Sequence, residues 1–281
     1  MIYTTIIPAH NEEAFIGRTL ESLAAQTLLP NLVIVVDDNS TDATSTIAAA
    51  YAQKFQDFKI VKNASGHEHL PGSKVIRAFN KGLEHAGEYD VIVKLDADLV
   101  LPPDYFENIM QAFASDAKTG MAGGFATIER NGQWIVENLT DKDHIRGAFK
   151  AYRKECFEQI GKLKPAMGWD TVDELLARYH GWNVVTIPGL HVKHLKPTGA
   201  NYGKAARYKQ GEAFYALGYG FWITAIASAK LAMRKRQPSL AVDYLAGFFK
   251  ARQNAVPMLV NQDQARWIRQ YRWKKIRAKF S

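Results

Sequence analysis

Asp90-Val91-Ile92-Val93-Lys94-Leu95-Asp96-Ala97-Asp98 is the stretch on which the fold turns in this 281-residue chain. A near-continuous apolar run of this length, without the alternation of a half-exposed strand, reads as a strand buried on both faces of a parallel sheet. Two carboxylates follow it, and the carboxyl ends of strands are where open α/β sheets bind their ligands. Asn31-Leu32-Val33-Ile34-Val35-Val36 repeats the pattern and leads into Asp37-Asp38-Asn39-Ser40-Thr41-Asp42. Residues 2–7 repeat it before Pro8-Ala9-His10-Asn11-Glu12-Glu13, and residues 58–61 add another short run. Between the runs, residues 12–25 and 41–55 carry helical spacing, with Ser40 or Thr41 placed to cap the second helix. The alternation predicts βαβ units and an α/β fold, a mostly parallel sheet flanked by helices. Further along, residues 170–180 read as a helix ended by Gly181. Residues 183–195 read as one or two strands bent at Pro188-Gly189 and stopped by Pro197.

Composition narrows the function classes. A chain this long buries a sizeable core without covalent staples. Its single cysteine, Cys156, excludes an intramolecular disulfide and any cysteine-built metal cage, and fits a reducing cytoplasm. The first residues lack the basic start and long apolar core of a secretion signal, so export is not expected. The formal net charge of +8 is uneven, because residues 201–281 hold 16 of the 36 basic and 3 of the 28 acidic residues. We therefore divide the chain near residue 200, into a domain spanning 1–200 and a helical, basic, aromatic-rich region spanning 201–281. Such asymmetry marks an interaction surface.

Asp96-x-Asp98 is the sharpest local signal. Two carboxylates at i and i+2 of an extended segment point the same way and suit a hard divalent cation that is also held by substrate phosphates. Taken with the other strand ends, the chain resembles the family 2 glycosyltransferases over roughly residues 2–198. The resemblance rests on the order and spacing of Ile6-Ile7-Pro8-Ala9-His10-Asn11-Glu12-Glu13, Val35-Val36-Asp37-Asp38-Asn39-Ser40-Thr41-Asp42, Lys74 with Asn80-Lys81-Gly82, and Lys94-Leu95-Asp96-Ala97-Asp98.

That resemblance implies the GT-A fold, a Rossmann-like sheet, and an inverting, nucleotide-sugar-dependent enzyme using Mn²⁺ or Mg²⁺. Carried over position by position, it implies that Pro8, Ala9, Asn11 and Glu12 line the nucleotide pocket. Asp38 would accept from the base, Lys74 would offset diphosphate charge, and Asp96 would reach the ribose. Asp98 would ligate the metal, and His194, in Val192-Lys193-His194-Leu195, would be the further ligand. Adjacent residues leave a strand on opposite sides, so only one of the two acids is expected to face the pocket, and the resemblance implies that it is Asp38 rather than Asp37. His191, three residues from His194, cannot share its side of a regular strand. Family members often carry Glu-Asp at the start of a helix over the acceptor site. Here Gly168-Trp169-Asp170-Thr171-Val172-Asp173-Glu174 departs from that pattern, with Trp169 in place of the Glu. Asp170 is the first candidate base and Asp173 the second, and Glu174 reads as a solvent-facing helix acid. His10 reads as a loop residue flanking the nucleotide, whereas His67, His69, His85, His144 and His180 have no spacing that argues for ligation.

In the tail, residues 213–229 form an uncharged run of 17, at the lower edge of the roughly 17–25 residues a spanning helix needs. Residues 266–280 interleave seven basic residues with Trp267, Tyr271 and Trp273. Basic helices carrying aromatics suit an anionic headgroup interface. Helices lying on or dipping into the inner face of the cytoplasmic membrane are the expectation, and the alternative is an apolar run packed on the catalytic domain. The functional expectation is a glycosyltransferase moving a sugar from a UDP- or GDP-type donor to a lipid-linked or cell-surface glycan acceptor. The alternative is a catalytically impaired nucleotide-sugar-binding or scaffold protein at the membrane surface. Nucleic acid is not expected as a partner, given the acidic first 200 residues.

Overall fold

The computed structural model describes residues 1–64, 72–137, 143–196 and 208–278. The elements run β1 (Tyr3–Ala9), α1 (Ile16–Ala24), β2 (Leu32–Asp38), α2 (Thr44–Ala49), β3 (Phe58–Asn63), α3 (Ser73–Leu83), β4 (Val91–Leu95), β5 (Leu99–Val100) and α4 (Tyr105–Ser115). They continue as β6 (Thr119–Arg130), β7 (Gln133–Val136), β8 (Phe149–Arg153), α5 (Lys154–Gln159), α6 (Trp169–Tyr179) and β9 (Asn183–His194). Four helices follow, α7 (Lys209–Ala216), α8 (Gly220–Arg234), α9 (Ser239–Gln253) and α10 (Gln262–Arg277).

Among the described residues the strands form one sheet in the order β3-β2-β1-β4-β8-β6-β9-β5, with β7 paired to β6. β1, β2, β3 and β4 are mutually parallel, and β6 with β9 runs the same way. β8, β7 and β5 are antiparallel to their neighbours. β1, β2 and β4 are buried at every position, as their unbroken apolar runs require. The chain winds outward from β1 to β3, then returns to place β4 on the other side of β1. That reversal makes the carboxyl ends of β1 and β4 a topological switch point, where doubly wound sheets open a ligand crevice.

Gly82, in the Asn80-Lys81-Gly82 triplet, has a packing role. A Cβ there would lie 2.6 Å from Ile6 and 2.7 Å from Val36, so only glycine lets α3 lie flush on β1 and β2. The second predicted helix is shorter than expected, ending at Ala49 before a turn of 3₁₀ helix at Ala52–Lys54. Neither Ser40 nor Thr41 caps it. Both are engaged by Asn11 across the cleft, and the Asp42 carboxylate accepts from the Thr44 backbone N–H at 3.0 Å instead. β9 is a single strand with a register irregularity opposite Gly123 and Phe125, where Pro188-Gly189 falls. Pro197, the boundary near residue 200, His67 and His69 lie outside the described residues.

The tail does not form one helix across residues 213–229. Gly218 and Gly220 adopt positive φ (73° and 70°) and divide the run between α7 and α8. No described helix is long and apolar enough to cross a membrane. α7 and α9 cross at Gly211 and Gly247, where a Cβ would stand 1.8 Å from the Tyr244 carbonyl oxygen and 2.0 Å from that of Tyr208. Phe214, Leu217, Tyr219, Ile223, Val260, Ala265 and Ile268 belong to the same core as Val172 and Leu176 of α6. The inner faces of these helices are thus packed on the α/β part of the chain.

Candidate active site

Short pairing between β5 and β9 sets the geometry of the Asp-x-Asp segment. Leu99 is in register with His194, and the Leu195 N–H donates to the Asp98 carbonyl at 2.9 Å. This brings Asp98 Oδ2 to 3.3 Å from His194 Nε2, joining side chains 96 residues apart in sequence, both largely buried. Burial alone would push the His194 pKa down. The hydrogen bond His194 donates to the Asp98 carboxylate, with the charges of Asp98 and Asp96, outweighs it and raises the pKa. His194 Nδ1 is buried without a hydrogen-bond partner among the described residues.

Asp96 is partly exposed and accepts from the ammonium of Lys94, which lies inside the sheet at 1% exposure. The same ammonium stands 5.2 Å from the centre of the Trp169 ring. Trp169 therefore supplies an aromatic face to a buried cation at the place where the family pattern has a carboxylate, an interaction worth about 0.5–2 kcal/mol. Burial raises the Asp96 pKa, and Lys94 opposes the rise.

The loops after β1 and β2 are knitted together. Asn11, at positive φ (54°), donates its N–H to Ser40 Oγ at 3.1 Å and accepts from the Thr41 N–H at 2.9 Å. Pro8 and Ala9 are buried at the end of β1. Glu12 donates its N–H to Thr44 Oγ1 at 2.7 Å, while both carboxylate oxygens accept from Lys196 at 2.5 Å. Burial and the nearby Asp98 and Asp96 charges raise the Glu12 pKa against the pull of Lys196. The two adjacent acids after β2 separate as strand geometry requires. Asp37, 1% exposed, is consumed by Lys62 (2.5 Å), Ser45 (2.7 Å) and the Ser40 N–H (3.0 Å). Burial would raise its pKa, but these bonds hold it at about 2. Asp38 accepts from Asn63 Nδ2 at 2.7 Å, and its carbonyl meets the exposed His10 ring at 2.7 Å. Lys74 sits half-buried at the start of α3, an end tied to the loop before α6 by Ser73 Oγ donating to the Pro165 carbonyl at 2.8 Å.

Asp170 lies in the first turn of α6 with a third of its side chain exposed, 3.7 Å from His144 Nε2. Burial would raise its pKa. The hydrogen bond and charge of His144, with Lys150 and Arg146, overcome that and hold the carboxyl well below the usual range, ionised at neutral pH. Asp173, expected beside it, is turned away. At 2% exposure it pairs with Lys150 (3.0 Å) and accepts from the Tyr152 hydroxyl (2.7 Å). Three residues on in α6, its side chain meets β8 rather than the cleft. Glu174 is not the solvent-facing acid the sequence implied. It is 5% exposed and accepts from the Ile145 N–H at 2.8 Å, beside Lys150 at 3.1 Å and His144 at 3.2 Å. His144, given no role from sequence, has its pKa pushed up to about 9, because the bonds to Asp170 and Glu174 outweigh burial.

Lys94, Lys150, His144 and Lys196 escaped the sequence reading. The signal available was a lysine inside each of two buried strands, Val91-Ile92-Val93-Lys94-Leu95 and Phe149-Lys150-Ala151-Tyr152-Arg153. The two are register partners across β4 and β8, so they share one face of the sheet. Two buried cations side by side each require an anion. Lys94 takes Asp96 and Lys150 takes Asp173 with Glu174.

Among the described residues no three His, Cys, Asp or Glu side chains converge as a ready-made cation cage. Asp98 with His194, an acid and an imidazole at one strand junction, fits a divalent ion whose remaining positions are filled by substrate oxygens and water.

Residues 4–164 match the sequence pattern described as glycosyl transferase family 2. The chain belongs to that family. The putative glycosyltransferase EpsH of Bacillus subtilis (strain 168) is 32% identical over 162 residues, 57% of this chain and 43% of the relative. The chain thus spans less than half the length of that curated relative. Among solved structures, the mannosyltransferase PcManGT from Pyrobaculum calidifontis, in complex with GDP-Man and Mn²⁺, superposes with a TM-score of 0.59 at 19% identity, over 95% of this chain and 78% of that one. S. aureus TarS 1-349 in complex with UDP-GlcNAc gives 0.56 at 19%, over 89% and 72%. These likenesses show the fold, GT-A.

Proposed function

We propose that this chain is a metal-dependent, inverting glycosyltransferase, taking a sugar from a UDP- or GDP-linked donor to a hydroxyl of a lipid-linked or cell-surface glycan acceptor. The observation that carries the reading is the 3.3 Å pairing of Asp98 with His194 at the switch point of the sheet. The ionised Asp170 lies on the helix that shares the Lys94–Trp169 contact with β4. In this arrangement Pro8, Ala9, Asn11, Glu12 and Asp38 border the nucleoside, and Asp96 reaches the ribose. Lys74 supplies a positive charge at the start of α3. Asp98 and His194 hold Mn²⁺ or Mg²⁺, which when bound stabilises charge on the departing diphosphate. The acceptor oxygen forms its bond to the anomeric carbon as the bond to the diphosphate breaks, and Asp170 takes the hydroxyl proton. General-base help of this kind is worth about 10²- to 10⁴-fold. Asp173 is left with a structural task, holding Lys150.

The division of labour proposed is a catalytic part over residues 1–200 and a membrane-associating part over 201–281, peripheral to the cytoplasmic face of the membrane. Its support is the outward side of α8 and α9, where Trp222 (70% exposed), Met233 (78%) and Val242 (70%) stand among Lys230, Lys235, Arg236, Lys250 and Arg252. Each basic residue near an anionic leaflet adds about 1 kcal/mol.

The experiment is thermal melting with UDP, GDP, CDP and dTDP, each with and without Mn²⁺. One nucleotide is expected to stabilise only with metal, and Asp98→Ala to abolish the shift. Stabilisation independent of metal and of Asp98 would sink the assignment. For the tail, sedimentation with phosphatidylglycerol vesicles is expected and is lost in Trp222→Ser with Met233→Ser. Equal sedimentation with phosphatidylcholine would refute the electrostatic part.

A further inference from the structure

A cavity of about 180 Å³ is lined by residues of α6, α8 and α10 together with Asp143 and His144, the histidine that also meets Asp170. Its walls carry Arg178, Arg234, Arg272 and Lys275, together with His144 itself. The acids in the wall, Asp143 and Glu174, are both spoken for. Asp143 accepts from Lys275 and lies 3.7 Å from Arg178, whereas Glu174 is held by Lys150, His144 and Arg178. Among the described residues the cavity wall carries four guanidinium or ammonium groups against two carboxylates, and His144, its pKa pushed up to about 9, adds positive charge at neutral pH. Arg272 donates to the Tyr219 hydroxyl, yet its Nε is buried without a hydrogen-bond partner among the described residues. Planar guanidinium donors converging on a small concavity suit a phosphate, whose oxygens accept in pairs from such forks.

We propose that this cavity is a phosphate-binding subsite on the acceptor side of the enzyme. His144 meets Asp170 through Nε2 and also lines the cavity, as does Thr171 next to Asp170, so a phosphate seated here lies one side chain from the candidate base. An acceptor anchored by it would present a neighbouring hydroxyl to Asp170. Only the acceptor role rests on the mechanism proposed above, because phosphate binding itself is independent of it. The phosphate is that of a soluble phosphorylated acceptor or of a lipid headgroup.

The test is calorimetric titration of sn-glycerol 3-phosphate, with glycerol as the neutral control, into the full chain in EDTA at fixed ionic strength. EDTA silences the metal-dependent donor site. We expect one saturable site for the phosphate ester and none for glycerol, weakened at least tenfold in Arg234→Gln and in Lys275→Gln. Melting temperature and Mn²⁺-dependent nucleotide binding of the variants report their folding, so a failure of the donor-site reading is visible separately. If one variant fails to fold, the other carries the test. No binding, or binding that survives both substitutions, overturns the proposal. In a second arm, competition between glycerol phosphate and phosphatidylglycerol vesicles assigns the phosphate to a lipid headgroup. A titration undisturbed by vesicles assigns it to a soluble acceptor.

Discussion

Two clusters of carboxylates and cations flank the same sheet, and they are built on opposite terms. Behind α6, Lys150 is enclosed by Asp173 and Glu174, with Tyr152, His144 and Arg178 completing the hydrogen bonds. At the strand ends, Asp98 and His194 have each other, and His194 Nδ1 is left without a described partner. A buried charge network is stable only when every member is matched, whereas a ligand site keeps capacity in reserve. Composition does not separate the two clusters. Their degree of satisfaction does.

Breaking the satisfied cluster should cost the most. Lys150→Met strands two buried carboxylates, and we expect a loss of about 3–5 kcal/mol in denaturant unfolding. A loss below about 1 kcal/mol would mean that the network is not closed. The His144 edge is smaller and depends on pH. Its folded-state pKa of about 9 lies above the ordinary 6.5, so its contribution is complete below pH 6.5 and is lost as pH rises through 9. His144→Gln should therefore be less stable than the parent at pH 6, by up to about 3 kcal/mol at 1.36 kcal/mol per pKa unit. The two should converge by pH 10, and a gap that widens with pH would reverse the assigned charge. Asp98→Ala should change the stability of the ligand-free protein least, within about 1 kcal/mol. It should nonetheless abolish the roughly 2.7 kcal/mol that a metal-dependent nucleotide adds at 100 times its Kd.

The same contrast explains what could be read from sequence. β4 was legible to the residue because a strand buried on both faces leaves an unbroken apolar run, and the Asp-x-Asp after it stood out against that run. Strand alternation alone says that Asp37 and Asp38 point apart, but not which of them faces the pocket. Asp173 was misplaced because helical spacing says which residues share a face but not what that face meets. Here it meets a lysine on β8, more than twenty residues upstream. Lys94 and Lys150 were visible as lysines in apolar strands, but their pairing depends on β4 and β8 lying side by side, which local pattern does not encode. The tail run of 17 residues is marginal for a span on length alone, and it breaks at Gly218 and Gly220, where the backbone takes positive φ.

The most direct measurement is a side-by-side comparison of Asp170→Asn and Asp173→Asn, following nucleoside diphosphate release from the sugar donor whose nucleotide stabilises the parent with Mn²⁺. The account predicts that Asp170→Asn keeps its melting temperature and nucleotide binding while turnover falls about 10²- to 10⁴-fold. Asp173→Asn should melt earlier yet turn over at near-parental rate per folded molecule. Full turnover in Asp170→Asn, with loss of turnover in a well-folded Asp173→Asn, would contradict it.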